Sequence, residues 1–169
     1  IEILPVLRAG TCQKVRSMGM CASDDCGTDI TPVPAPTAID AVKSSRKRPS
    51  FESIYMELAG TLAGRSTCHR LNVGTVITST DYRKVLSVGY NGNATGLPNG
   101  CDREEPGNCG CLHSEENAVI NCDAPRHVEK IVFVTHLPCV QCAKRLINLG
   151  NVRKIFYRDE YRIRDSVKL

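Results

Sequence analysis

His113-Ser114-Glu115 and, further along, Pro138-Cys139-Val140-Gln141-Cys142 are the two stretches whose reading decides the fold. One imidazole and two thiols make three protein donors of the kind zinc takes, and three donors leave the fourth tetrahedral corner open, as a catalytic site requires. A closed structural site would need a fourth ligand. The spacing of Cys139 and Cys142 puts both sulfurs on one face of a helix, where they can reach a single ion. If each motif opens a helix, the ligands sit in first turns, where unpaired N–H groups and the positive dipole end favour thiolate. Pro138 suits that entry because it has no N–H to lose there.

Working outward, each motif falls between segments of clear periodicity. Upstream, Phe51, Ile54, Tyr55, Leu58, Ala59 and Leu62 recur at helical spacing behind a Ser50 cap, so a helix is expected to about Gly64. Val73-Gly-Thr-Val-Ile-Thr78 and Lys84-Val-Leu-Ser-Val-Gly-Tyr90 are β-branched runs around a polar turn at Asp81, the pattern of a hairpin. Residues 91–112 are rich in Gly, Asn, Pro and Cys and read as a long functional loop. A helix from about His113 to Asn121, a strand from Lys130, a helix from about Cys139 to Leu149 and a strand over Val152 to Tyr157 follow, and the charged tail to Leu169 reads as a short surface element. The order α-β-β-α-β-α-β predicts a sheet covered by helices on both faces.

Residues 1–50 hold most of the prolines, including Thr31-Pro-Val-Pro-Ala-Pro36, and show no sustained periodicity. They read as an extension with a stiff linker, leaving 51–169 as the catalytic domain. Cys12, Cys21 and Cys26 lack the paired knuckles of a zinc ribbon and read as loop thiols, and Lys43, Arg46, Lys47 and Arg48 read as a solvated linker. With 169 residues, 41% of them apolar, the chain can bury one ordinary core. No run approaches the roughly 20 apolar residues of a membrane span, and no basic-then-apolar leader opens the chain, so a soluble cytoplasmic protein is expected. Ten cysteines would suggest disulfides in a secreted domain, but the metal-type spacing favours a reducing compartment. The net charge of +4 is spread evenly, aromatics are 5% and tryptophan is absent, which argues against a nucleic-acid groove.

Zinc brings the pKa of a bound water to near 7, and a carboxylate two residues past a ligand can take that water's proton, pass it to a substrate ring nitrogen and help protonate departing ammonia. That is the task expected of Glu115. His-x-Glu followed by Pro-Cys-x-x-Cys is the signature of zinc nucleobase deaminases. His127 and His136 read as a surface imidazole and a strand-end residue, and Cys122 as a helix-face core residue.

Residues 49–163 resemble the deoxycytidylate deaminase family within the wider cytidine deaminase superfamily. The resemblance is carried by Arg65-Ser-Thr-Cys68, Val73-Gly-Thr-Val-Ile77, Gly89-Tyr-Asn-Gly92, His113-Ser-Glu-Glu-Asn-Ala118 and Thr135-His-Leu-Pro-Cys-Val-Gln-Cys-Ala-Lys144. It implies a three-layer α/β/α fold with a central mixed sheet. It also implies a catalytic zinc on His113, Cys139 and Cys142, Glu115 as proton shuttle, and hydrolysis of dCMP to dUMP for thymidylate synthesis. Asn91 would hydrogen-bond the sugar, Gly92 and Pro138 would join it in contacting substrate, and Asn117 would support the site from its helix. Many such proteins are homohexamers regulated by dCTP and dTTP, so a homo-oligomer with those effectors is implied. Bacterial and phage relatives often carry a structural zinc, for which Cys68, Cys101, Cys109 and Cys111 are the candidates, against four free thiols. Ser114 stands where relatives usually carry alanine, and the loop over Gly92–Gly100 is longer than in many regulated members. For the substrate phosphate, Arg70, Arg158 and Arg162 are the available cations. The alternatives are the same chemistry on dCTP, cytidine, the free base, RNA or DNA, and a silent binding module with this fold.

Overall fold

A computed structural model of the chain describes residues 1–6, 48–105, 108–161 and 165–168. The readings of Cys12, Cys21, Cys26, Lys43, Arg46, Lys47, the proline run and Arg162 lie outside the described residues.

The elements follow the order β1 (Glu2–Pro5), α1 (Phe51–Ala63), β2 (Gly74–Ser79), β3 (Val85–Tyr90), α2 (Ser114–Ile120), β4 (Lys130–His136), α3 (Val140–Leu149), β5 (Val152–Asp159) and a 3-10 turn at Asp165–Lys168. Ser50 caps α1 as its sequence position suggests, its Oγ accepting from Ser53 N at 3.2 Å. Five strands form one sheet in the order β1-β5-β4-β2-β3, with β2 antiparallel to β3 and β4, and β5 parallel to β4 and β1. Alternation along β4 builds both faces. Ile131 and Phe133 pack with Met56 and Ala59 of α1, whereas Val132 and Val134 pack with Ala118 of α2 and Leu146 of α3. The result is the expected helix-sheet-helix sandwich around a mixed sheet.

One expectation is corrected. Residues 1–50 are not wholly an extension, because Glu2–Pro5 is a strand running parallel to β5 with Ile3 opposite Ile155 and Leu4 opposite Phe156. Residues 1–6 belong to the same compact unit as the described residues from Pro49 onward. Four residues are too few to display a period, and Pro5 reads as a breaker. At the end of an edge strand, however, a missing N–H costs no ladder bond, and the next residue resumes pairing through Val6 N to Tyr157 O at 2.7 Å.

At the far end of β4, Lys130 is wholly enclosed, its ammonium donating to the carbonyls of Pro125 at 2.9 Å, Val128 at 2.7 Å and Gly150 at 3.3 Å. Three acceptors satisfy the three donors of the group, which is what permits a buried lysine. No helix among the described residues is long and apolar enough to cross a membrane.

Candidate active site

The site forms where the first turns of α2 and α3 meet. Gly89 of β3 lets α2 lie directly on the sheet, since a Cβ there would stand 2.2 Å from Ser114 O and 2.5 Å from Ala118 N. Glu116 braces the helix start, accepting from His113 N at 2.8 Å and pairing with Arg145 of α3 at 3.0 Å, so one carboxylate ties the two helices together. β4 ends at His136, and Leu137-Pro138-Cys139 carries the chain into α3, with Cys139 as the cap whose Sγ accepts from Cys142 N at 3.5 Å. Both helices therefore point their positive ends at the same spot.

There, His113 Nδ1 lies 3.3 Å from Cys142 Sγ and 3.7 Å from Cys139 Sγ. Tetrahedral zinc, with Zn–N near 2.0 Å and Zn–S near 2.3 Å, sets nitrogen and sulfur about 3.5 Å apart. The three donor atoms lie mutually within 4.8 Å, so the donor set fits zinc in chemistry and in spacing. The electrostatics agree. A hydrogen bond from the Cys142 thiol, reinforced by His113 and the Cys142 N–H, overcomes burial and pulls Cys139 down to about 3. The bond to Cys139 raises His113 to about 9 against the pull of burial. The Cys142 thiol is pushed up, by donating to Cys139 and by burial, and keeps a proton that a binding dication would displace.

Glu115 is 4% exposed, and burial pushes its carboxyl above the ordinary range. A carboxyl raised in that way takes up a proton more readily than an exposed one, as a shuttle must. With His113, Ser114 and Cys139 it lines a cavity of about 310 Å³, which continues past Arg70 and Tyr161. A volume of that order suits one small ligand.

The cytidine and deoxycytidylate deaminase zinc-binding region matches residues 49–158. The chain belongs to this family. It is 33% identical over 135 residues to the deoxycytidylate deaminase of Schizosaccharomyces pombe, covering 72% of this chain and 41% of that protein. It is 32% identical to ComE operon protein 2 of Bacillus subtilis, covering 69% of this chain and 63% of that protein. The chain thus spans less than two thirds of either protein's length. Among solved structures, the dCMP deaminase of cyanophage S-TIM5 in complex with dCMP and dUMP superposes with a TM-score of 0.63 at 30% identity, covering 73% of this chain and 91% of that one.

Against this family background the remaining expected residues fall into two groups. Asn91 is buried at the cavity wall, but its amide clamps backbone, with Oδ1 accepting from Val73 N at 2.8 Å and Nδ2 donating to Leu71 O at 2.6 Å. One N–H and one lone pair of that amide are left for a sugar. Gly92 pairs with Leu112 and so brings the chain to His113, while Asn117 donates to Tyr90 O at 2.8 Å and fastens α2 to the edge of β3. Neither Gly92, Asn117 nor the buried Pro138 is among the residues that wall the cavity. His127 is exposed and His136 ends β4 at the cavity, as expected, whereas Cys122 lies just past α2 rather than on its face and packs half-buried against the core.

The other four cysteines come together as well. Cys68, just past α1, meets Cys101 at 3.6 Å and Cys109 at 3.8 Å, and Cys111 stands 3.8 Å from Cys101. A disulfide would require sulfurs about 2.05 Å apart, whereas two thiolates on one tetrahedral zinc stand about 3.8 Å apart. Gly110, at φ +84°, makes the reversal that turns Cys109 and Cys111 to the same point. Cys68, Cys109 and Cys111 also line the cavity that holds Glu115, a connection sequence reasoning missed together with Tyr161. An aromatic residue in a charged tail was the only signal for Tyr161.

Proposed function

We propose that this protein hydrolyses dCMP to dUMP and ammonia. The observation that carries the reading is Glu115, a buried carboxyl facing a ligand-sized cavity beside a His-Cys-Cys donor set. The S-TIM5 relative seen with dCMP and dUMP supports the substrate. Zinc held by His113, Cys139 and Cys142 would supply Lewis acidity for activating water at its open position. Glu115 accepts the proton of the attacking water, delivers it to the ring nitrogen beside the amino-bearing carbon, and then helps protonate the leaving ammonia. One water is consumed and one ammonia released. Asn91 keeps an N–H for the sugar, and Arg70, which lines the cavity, would meet the phosphate. Arg158 is instead paired with Asp159 at 2.9 Å.

Cys68, Cys101, Cys109 and Cys111 would hold a second, structural zinc, and by doing so would tie the long loop to the end of α1 at the cavity wall. The seven cysteines among the described residues are all free, in keeping with a reducing cytoplasm. A homo-oligomer, with dCTP and dTTP as effectors, belongs to the same reading. Val88 and Tyr90 on β3 and Ile120 on α2 are among the exposed apolar residues that contacts between subunits would cover.

The test offers the zinc-loaded protein dCMP, dCTP, cytidine, cytosine and a short single-stranded oligonucleotide in parallel, with ammonia measured for each, and with dCTP and dTTP added to the dCMP arm. Preference for dCMP is expected, together with loss of turnover and retention of zinc in Glu115→Ala. Preference for another substrate, or turnover by Glu115→Ala, overturns the reading. Metal analysis should give two zinc ions per chain; a value near one discards the second site. Light scattering reports the oligomer.

A further inference from the structure

Ser114 lies between the metal ligand His113 and Glu115, and its side chain turns inward. Its Oγ stands 2.8 Å from Thr75 Oγ1 on β2 and 3.1 Å from Glu115 Oε2. Thr75 and Ser114 are both wholly enclosed and Glu115 is 4% exposed, with Ser114 and Glu115 bordering the cavity. Burying a hydroxyl is unfavourable unless it is hydrogen-bonded.

The hydrogens fix the direction of the bonds. The two hydroxyls bring two hydrogens and share one bond. The Ser114 hydroxyl donates to Glu115 Oε2 at 3.1 Å, the order in which an ionised Glu115, which only accepts, is bound. Ser114 must then accept from Thr75. With the opposite order, lone pairs of Ser114 and Glu115 would face each other at 3.1 Å. The chain of donation therefore runs from Thr75 through Ser114 to Glu115 Oε2, each bond polarising the next. With Oε2 engaged by Ser114, Oε1 is the oxygen left for a proton in transit.

We propose that Ser114 is a positioning residue for Glu115, held by Thr75, and that this buried relay decides which carboxylate oxygen moves the proton. The proposal rests on Glu115 being the proton shuttle. It gives Thr75, a strand residue remote from both motifs in sequence, a part in the rate.

The test compares Ser114→Ala, Thr75→Val, their double variant and Glu115→Ala in the zinc-loaded full chain. Steady-state dCMP kinetics, zinc content and melting temperature are measured for each. Ser114→Ala is expected to lower kcat about tenfold, the scale of one charge-assisted hydrogen bond, with KM and zinc content held and the melting temperature lowered by the Thr75 hydroxyl left without Ser114. Thr75→Val should lose about threefold, and the double variant should be no slower than Ser114→Ala alone, as links of one relay require. Thr75→Ser, which keeps the hydroxyl, should recover the rate lost in Thr75→Val. Four outcomes overturn the proposal: parental kcat in Ser114→Ala, a raised KM with kcat kept (which would make Ser114 a substrate contact), loss of zinc in Ser114→Ala, or multiplying losses in the double variant. If Glu115→Ala keeps its turnover, the proton-shuttle reading fails; if Glu115→Ala is dead while Ser114→Ala runs at the parental rate, only the relay fails.

Discussion

Replacing Gly89 with alanine tests whether the close approach of α2 to the sheet sets the catalytic geometry. The added methyl would stand 2.2 Å from Ser114 O, 2.5 Å from Ala118 N and 3.1 Å from Ala118 Cα, where ordinary contact begins at 3.4 Å. All three atoms are backbone, so no side chain can swing aside. The helix must retreat by about 1 Å, and it begins at the residues that carry the chemistry. Overpacking of this kind costs about 1–3 kcal/mol of stability. The retreat would also stretch the bond from Ser87 Oγ to Ala118 O and the one from Asn117 Nδ2 to Tyr90 O, now 2.8 Å. A 1 Å misplacement of catalytic groups can cost about 10²-fold in rate.

The control is Gly74→Ala on β2, where the methyl would meet Ala59 O at 2.0 Å and Ala63 N at 2.7 Å on the opposite face of the sheet. Both variants should lower the melting temperature to a similar extent. Only Gly89→Ala should lose kcat by about two orders of magnitude at temperatures where both are folded, with zinc binding weakened as His113 leaves the cysteines. Ammonia release, metal analysis and thermal melts are the assays. Near-parental kcat in a folded, zinc-replete Gly89→Ala protein would refute the idea that α2 is held in place by this contact.

Lys130→Met should cost about 3 kcal/mol, because three carbonyls lose the charged donor enclosed among them, while kcat/KM stays parental; an unchanged melting temperature would show that the carbonyls find other partners. Arg70→Ala should raise KM for dCMP about tenfold or more and leave kcat in place; an unaltered KM would move the phosphate elsewhere. Tyr82→Phe removes the bond to Glu52 Oε1 at 2.7 Å, and its effect should depend on pH. That bond is the first cause holding Glu52 below the ordinary carboxylate range, so its contribution is present above the unfolded pKa and is lost as pH falls through the folded one. Burial, then the bond to Glu52, pushes Tyr82 up to about 12, so that contribution is intact below about pH 10 and lost as pH rises toward the folded value. The gap in melting temperature between parent and variant should be widest from about pH 5 to 10; a gap that persists at pH 3 would contradict the linkage.

The metal donors were legible because their geometry is local. A first-turn Cys-x-x-Cys faces one way whatever surrounds it, and a His-x-Glu at a helix start puts the carboxyl near the ligand. Helices and strands with several periods were legible for the same reason, whereas Glu2–Pro5 carries no period and is a strand only because the edge of β5 is there to receive it. Asn91 shows the limit for side chains. Its type announces a buried polar group at the end of a strand, but its partners at Leu71 and Val73 depend on how the chain returns after α1.

The same limit explains why the two cysteine clusters read as separate sites and prove to be adjacent. Leu112 pairs with Gly92, so the loop between them is closed at its base, one residue before His113. Whatever fixes Cys101, Cys109 and Cys111 within that loop therefore also fixes one wall of the cavity beside Glu115. Loss of the second cluster should be felt at the first mainly as weaker substrate binding, since Glu115 and its donors are carried by helices that the loop does not hold. Cys109→Ser is then expected to raise KM for dCMP with kcat nearly kept and one zinc retained per chain. A fall in kcat at constant KM would mean that the loop reaches the proton-transfer step itself.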